Sequence, residues 1–109
     1  MPSNIEQLLH LYRKRLDPVL KGHMKRMILY GSYARGDFKQ DSDIDVMILL
    51  DLDGSALHSC EKKICDVTYD FNSEYGIDIM PVVQNISHFN YWKKAYMFYH
   101  NVDTEGIEI

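Results

Sequence analysis

The sequence predicts a mixed α/β fold of the α+β kind: a small mixed β-sheet of three or more strands flanked by helices. Two observations predict it. Apolar residues recur at three- and four-residue steps over two long stretches, as amphipathic helices require, and three short runs between and after them read as strands. The second and third strand runs are separated by the longer helical stretch, a crossover usual for parallel neighbours.

The first helix opens on Ser3-Asn4-Ile5-Glu6, a capping-box pattern, and continues through Ile5, Leu8 or Leu9, Tyr12, Leu16 and Leu20. Asp17-Pro18 is expected to kink or end it, because a residue before proline avoids the helical region. Met24 to Tyr30 reads as the first strand, stopping at Gly31. Ile44 to Leu50 reads as the second; apolar on both faces beyond its start, it belongs in the middle of the sheet. Leu57, Cys60, Ile64, Val67, Phe71 and Tyr75 mark a helix from Ser55 to Tyr75, with Gly76 placed to stop it. Ile77 to Val83 reads as the third strand, and Pro81 within it implies an edge or a bulge. A last helix capped by Ser87 would carry Phe89, Trp92, Tyr96 and Tyr99 as one stripe. That stripe reads first as core and second as a partner surface. Gly106 to Ile109 would add a small strand or trail off.

A chain of 109 residues is expected to form one domain, spanning 1–109, around one core. Apolar content of 46% and charged content of 26% are ordinary for a soluble globular protein. The net charge of −4, with Lys and Arg in small scattered groups, argues against a phosphate-backbone partner, so no direct nucleic-acid binding is expected. No basic segment followed by an apolar core suggests a signal peptide. The longest apolar run, Val46 to Leu50, is far short of the roughly 20 residues that span a bilayer. Cys60 and Cys65 lie five apart on one predicted helix, on different faces, so reduced thiols and a cytoplasmic location are expected. The five histidines are scattered and give no zinc-ligand spacing.

Connection lengths predict where polar residues converge. The short link from Gly31 to Asp43 makes the first two strands antiparallel neighbours, and the helical crossover makes the second and third parallel. The end of the first strand and the beginnings of the other two then share one sheet edge. Gly31, Ser32, Asp43, Asp45 and Asp78 should meet there. Asp43 and Asp45 point to one face, about 7 Å apart at Cα, a repulsive pair unless a cation bridges them. Magnesium suits carboxylate and phosphate oxygens. A second ion about 4 Å from the first would clamp both the attacking and the leaving oxygen of an in-line displacement, and Asp78 could complete that site or take a proton from an acceptor hydroxyl. Gly31 and Ser32 offer a close backbone approach, amides and a hydroxyl to phosphate oxygens. Arg35 could counter polyphosphate charge, with an ion pair to Asp37 or Asp41 as its competing role.

The stretch Gly31-Ser32-Tyr33-Ala34-Arg35-Gly36 through Asp43-Ile44-Asp45-Val46 resembles the signature of the polymerase-β nucleotidyltransferase superfamily: Gly-Ser, ten residues, then Asp-x-Asp. The Ala-Arg-Gly and the short chain look like its minimal nucleotidyltransferase (MNT) branch, a likeness that extends to the ending Phe98-Tyr99-His100-Asn101-Val102 and Glu105-Gly106-Ile107. The resemblance implies a nucleotidyltransferase fold, with Gly31 and Ser32 on the triphosphate, Asp43 and Asp45 on two Mg²⁺ ions, and Asp78 completing the triad. It implies an antitoxin that moves AMP from ATP to a tyrosine hydroxyl of a HEPN-domain ribonuclease toxin. Two other functions stay open: an antitoxin that acts by contact alone, and a transferase for small molecules of the aminoglycoside type. The latter usually carries an added helical domain.

Overall fold

A computed structural model describes residues 3–109. Nine elements follow in order: α1 (Ser3–Leu20), β1 (Met24–Tyr30), α2 (Ser32–Arg35), β2 (Ile44–Leu50), α3 (Gly54–Tyr75), β3 (Ile79–Asn85), α4 (Ile86–Trp92), α5 (Met97–Glu105) and β4 (Ile107–Glu108). The sheet order is β3-β2-β1-β4. β1 runs antiparallel to β2 and to β4, and β2 runs parallel to β3. The expected mixed sheet therefore has four strands, with β2 inside and the Pro81-bearing β3 at an edge. Proline is tolerated there because an outward position needs no ladder donor.

Side-chain alternation divides the core into two layers. On one face Met27, Leu29, Val46, Ile48 and Leu50 pack against Leu9, Tyr12 and Leu16 of α1 and Ile64 and Phe71 of α3. The one buried polar residue recorded there, Thr68, is satisfied: it shares a 2.6 Å hydrogen bond with the Tyr12 hydroxyl and donates to the Ile64 carbonyl. On the other face Ile28, Met47 and Leu49 pack against Phe89 of α4 and Val102 of α5. Two-sided cover explains the wholly apolar β2 after Asp45.

Three expectations need correction. α1 continues through Pro18 to Leu20. Pro18 forgoes the bond its own N–H would have made to the Lys14 carbonyl, but the helix closes beyond it: Lys21 N–H reaches the Asp17 carbonyl at 2.9 Å. β3 begins at Ile79 and not at Ile77, because α3 ends through Gly76 in the left-handed region, and Ile77 N–H then returns to the Asn72 carbonyl. The last helix is two helices, capped by Asn85, whose side chain accepts from His88 N–H at 2.8 Å, and not by Ser87. No strong helix breaker lies between Lys93 and Tyr96, so propensity does not cause the break. A helix advancing about 1.5 Å per residue without interruption would run off the sheet, whereas a turn lets Val102 rejoin Phe89 over Ile28 and Met47. The predicted stripe divides accordingly: Phe89 is buried, while Tyr96 is half exposed and stacks on Trp92 at 5.0 Å. The Ser3 side chain on which the capping box depends lies outside the described residues.

Phe89 is fully buried and joins α4 and α5 to the sheet. Phe89→Ala should cost about 3–5 kcal/mol of unfolding free energy, measured by urea denaturation.

Candidate active site

The three aspartates come from two adjacent strand beginnings. Ile44 N–H donates to the Asp78 carbonyl at 2.8 Å, and Ile44 then pairs with Ile79 in the parallel ladder. This places Asp43 beside Asp78. Ile44 and Ile79 enter the core on the α1/α3 side, so alternation turns Asp43, Asp45 and Asp78 to the opposite face. Asp78 stands immediately before β3 and not within it.

Their charges interact. The Asp43 pKa is raised, first by a hydrogen bond shared with the Asp78 carboxyl, then by the charge of Asp78, with smaller contributions from burial and Asp41. The Asp45 pKa is raised by burial and by Asp43, and Arg35 opposes the shift. Tyr30, opposite Asp45 across the β1–β2 ladder, is pushed up to about 12 by burial and by that carboxylate.

Gly31 is required here. Its φ is 75° and ψ −152°, a region that residues with a Cβ rarely enter. A Cβ at this position would also collide with the Asp45 Oδ2 atom. The bend thus brings bare backbone against the carboxylate. Gly31 precedes α2 without any side-chain cap; its carbonyl takes the Ala34 and Arg35 amides, which leaves those of Ser32 and Tyr33 to face an anion. Tyr33 anchors the turn by stacking on Phe38, ring centres 4.4 Å apart. Arg35 pairs with Asp37, its Nε 3.3 Å from Asp37 Oδ2, and borders the same cleft as Asp45.

Two clefts meet this edge. The first, of ≈340 Å³, is bordered by Tyr30, Gly31, Ser32, Arg35 and Asp45 on one side and by Phe98, Asn101, Val102 and Glu105 of α5 on the other. The second, of ≈280 Å³, lies on the α1 side, bordered by Ile5, Tyr33, Asp41, Ile44, Gly76 and Asp78 among others, and shares no residue with the first.

The donor set fits a hard divalent cation: carboxylate oxygens only, crowded enough that Asp78 raises the Asp43 pKa and Asp43 raises that of Asp45. Among the described residues no group of three or more His, Cys, Asp or Glu side chains encloses a cation by itself.

Sequence reasoning missed two groups. Asn72 of α3 clamps the start of β3: its amide nitrogen donates to the Ile79 carbonyl at 3.1 Å, and its oxygen accepts from Ile79 N–H at 2.9 Å. Its own carbonyl also receives Gly76 N–H. The available signal was a polar residue four before the stop glycine. The α5 wall was also missed, because spacing 98-101-102-105 defines a face only once α5 is known to be a separate helix.

The nucleotidyltransferase domain family matches residues 12–103, and the chain belongs to it. A Methanocaldococcus jannaschii protein, provisionally named a protein adenylyltransferase, is 34% identical over 94% of this chain and 95% of its own length. The fold is shared with a solved structure provisionally named a minimal nucleotidyltransferase, at TM-score 0.58 and 19% identity over 95% of this chain and 94% of that one. It is shared also with a toxin–antitoxin crystal structure containing AMP-PNP, at TM-score 0.54 and 20% identity over 89% of this chain and 68% of that one. The protein is a nucleotidyltransferase.

Asn72→Ala leaves the Ile79 amide and carbonyl without partners and should cost about 1–3 kcal/mol in chemical denaturation. Asp45 predicts a pH effect. A carboxyl with a raised folded pKa binds more protons folded than unfolded, so its stabilising contribution is present at low pH and is lost as pH rises through the folded pKa. In metal-free buffer Asp45→Asn should therefore raise Tm at neutral pH, and scans between about pH 3 and pH 7 should show the gain vanishing toward the acid end.

Proposed function

We propose that this chain is a magnesium-dependent adenylyltransferase, acting as one minimal catalytic domain, that moves AMP from ATP to a tyrosine hydroxyl of a partner toxin. The observation that carries the reading is the convergence of Asp43, Asp45 and Asp78 at the sheet edge where the Gly31–Ser32 bend borders the first cleft. The Asp43 carboxyl couples to Asp78 and to Asp45, and Asp45 borders that cleft. A donor nucleotide there, with its α-phosphate beside the carboxylates, suits an in-line displacement at the α-phosphorus. The Gly-Ser and Asp-x-Asp spacing supports the same reading, as do the name of the M. jannaschii relative and the AMP-PNP in the toxin–antitoxin structure.

Asp43, Asp45 and Asp78 would hold two Mg²⁺ ions, which neutralise phosphate charge and lower the pKa of the bound hydroxyl. The remaining roles fall to the chain itself. Gly31 and Ser32 receive the triphosphate through backbone amides and the Ser32 hydroxyl, and Arg35 balances its charge. Asp78 accepts the hydroxyl proton as the acceptor oxygen bonds to the α-phosphorus; the bond to the β-phosphate oxygen breaks, and pyrophosphate leaves. A HEPN-type ribonuclease is the partner this reading assigns. Tyr91 and Met97, 74% and 72% exposed, give the α4–α5 side an apolar surface suited to a protein.

Intact-mass measurement of the partner toxin, incubated with this protein, ATP and Mg²⁺, tests the reading. The toxin should gain one or more AMP units, and Asp43→Asn should slow the gain about 100-fold or more. Neutralisation without a mass change, and undiminished in Asp43→Asn, would replace transfer with inhibition by contact. AMP appearing on a small hydroxylated molecule without any partner would point to the drug-modifying class.

A further inference from the structure

We infer that the α5 wall of the first cleft is the base subsite for adenine, with Phe98 as the stacking face and the Asn101 carboxamide as the reader of the base edge. This rests on the nucleotidyl-transfer reading above. The cleft has two chemically different walls. One carries Gly31, Ser32 and Arg35, suited to phosphates. The other carries an aromatic ring, a carboxamide and a carboxylate, suited to a nucleoside.

The order along α5 matches the order of groups in a nucleotide. β4 pairs with β1 through Ile107 and Leu29, so Glu105, two residues earlier, lies beside the Gly31 bend. Asn101 is one turn further from that bend, and Phe98 nearly two, a span of about 10 Å that a nucleoside fills. The Glu105 carboxylate, which only accepts, suits the ribose hydroxyls nearest the phosphates. Asn101 offers a donor and an acceptor side by side, the pair that matches the N6 amine and ring nitrogen of adenine. Both side chains are exposed, and among the described residues neither carries a side-chain hydrogen bond or ion pair that a ligand would have to break. Phe98 is 49% exposed and held in an edge-on contact with Tyr30, centres 5.6 Å apart, so the ring is positioned yet not covered. A volume of ≈340 Å³ is in the range of small-molecule sites.

Calorimetric titration with ATP, GTP and inorganic triphosphate, in Mg²⁺ buffer, tests this in the wild type and in Asn101→Ala and Phe98→Ala. The wild type should prefer ATP to GTP. Asn101→Ala should lose about tenfold in ATP affinity and most of that preference. Phe98→Ala should weaken ATP and GTP alike by about tenfold, since every base has a π face. Triphosphate binding should be unchanged in both variants, which also shows that they fold. Wild-type ATP binding that survives both substitutions, with the ATP-to-GTP ratio intact, overturns the base subsite while leaving the transferase reading in place. Failure of the wild type to bind either ATP or triphosphate overturns both.

Discussion

Like charges held together against their repulsion are the constraint on which the rest of this structure depends. The backbones of Asp43, Asp45 and Asp78 are held close, because each stands at the start of a strand whose continuation is buried. The hydrogen bond from Ile44 N–H to the Asp78 carbonyl joins the two strand ends, and Asn72 secures the β3 side from the helix behind. Separating these backbone positions would require pulling Ile44 or Ile79 out of the core. The repulsion is therefore borne by the native state, and it appears as raised pKa values at Asp43 and Asp45.

The two faces of the sheet divide the labour. Helices α1 and α3 cover one face with the larger share of the apolar side chains and supply the rigidity. The face that carries the aspartates has a smaller apolar cluster under α4 and α5, and its cover stops short of the sheet edge. That shortfall is the first cleft. Had α4 and α5 formed one straight helix, Val102 and Glu105 would not lie beside Ile28 and the Gly31 bend, and the cleft would lack a wall. The turn at Lys93–Tyr96 is thus part of how the site is shaped.

Most of the site edge was legible in the sequence because it follows from local rules. Strand alternation placed Asp43 and Asp45 on one face, and connection length determined which strands were antiparallel and which parallel. Gly31 was marked by its neighbours, although the collision of any Cβ with Asp45 becomes visible only in three dimensions. What escaped was tertiary. The division between α4 and α5 has no local signal, since the residues at the turn favour helix as well as any others. The α5 wall depends on that division. Asn72 escaped because its partners are the backbone groups of a strand seven residues away, and a side chain's choice of backbone partner leaves no periodic trace. Pro18 misled because a proline removes only its own N–H from the ladder, and the bond that closes the next turn, from Lys21 N–H to the Asp17 carbonyl, is still made.

The two clefts border different carboxylates and have no residue in common. On the proposed reading the nucleotide has a cleft to itself: ATP enters, and pyrophosphate leaves, between the Gly31 bend and α5, without passing the α1 side of the sheet edge.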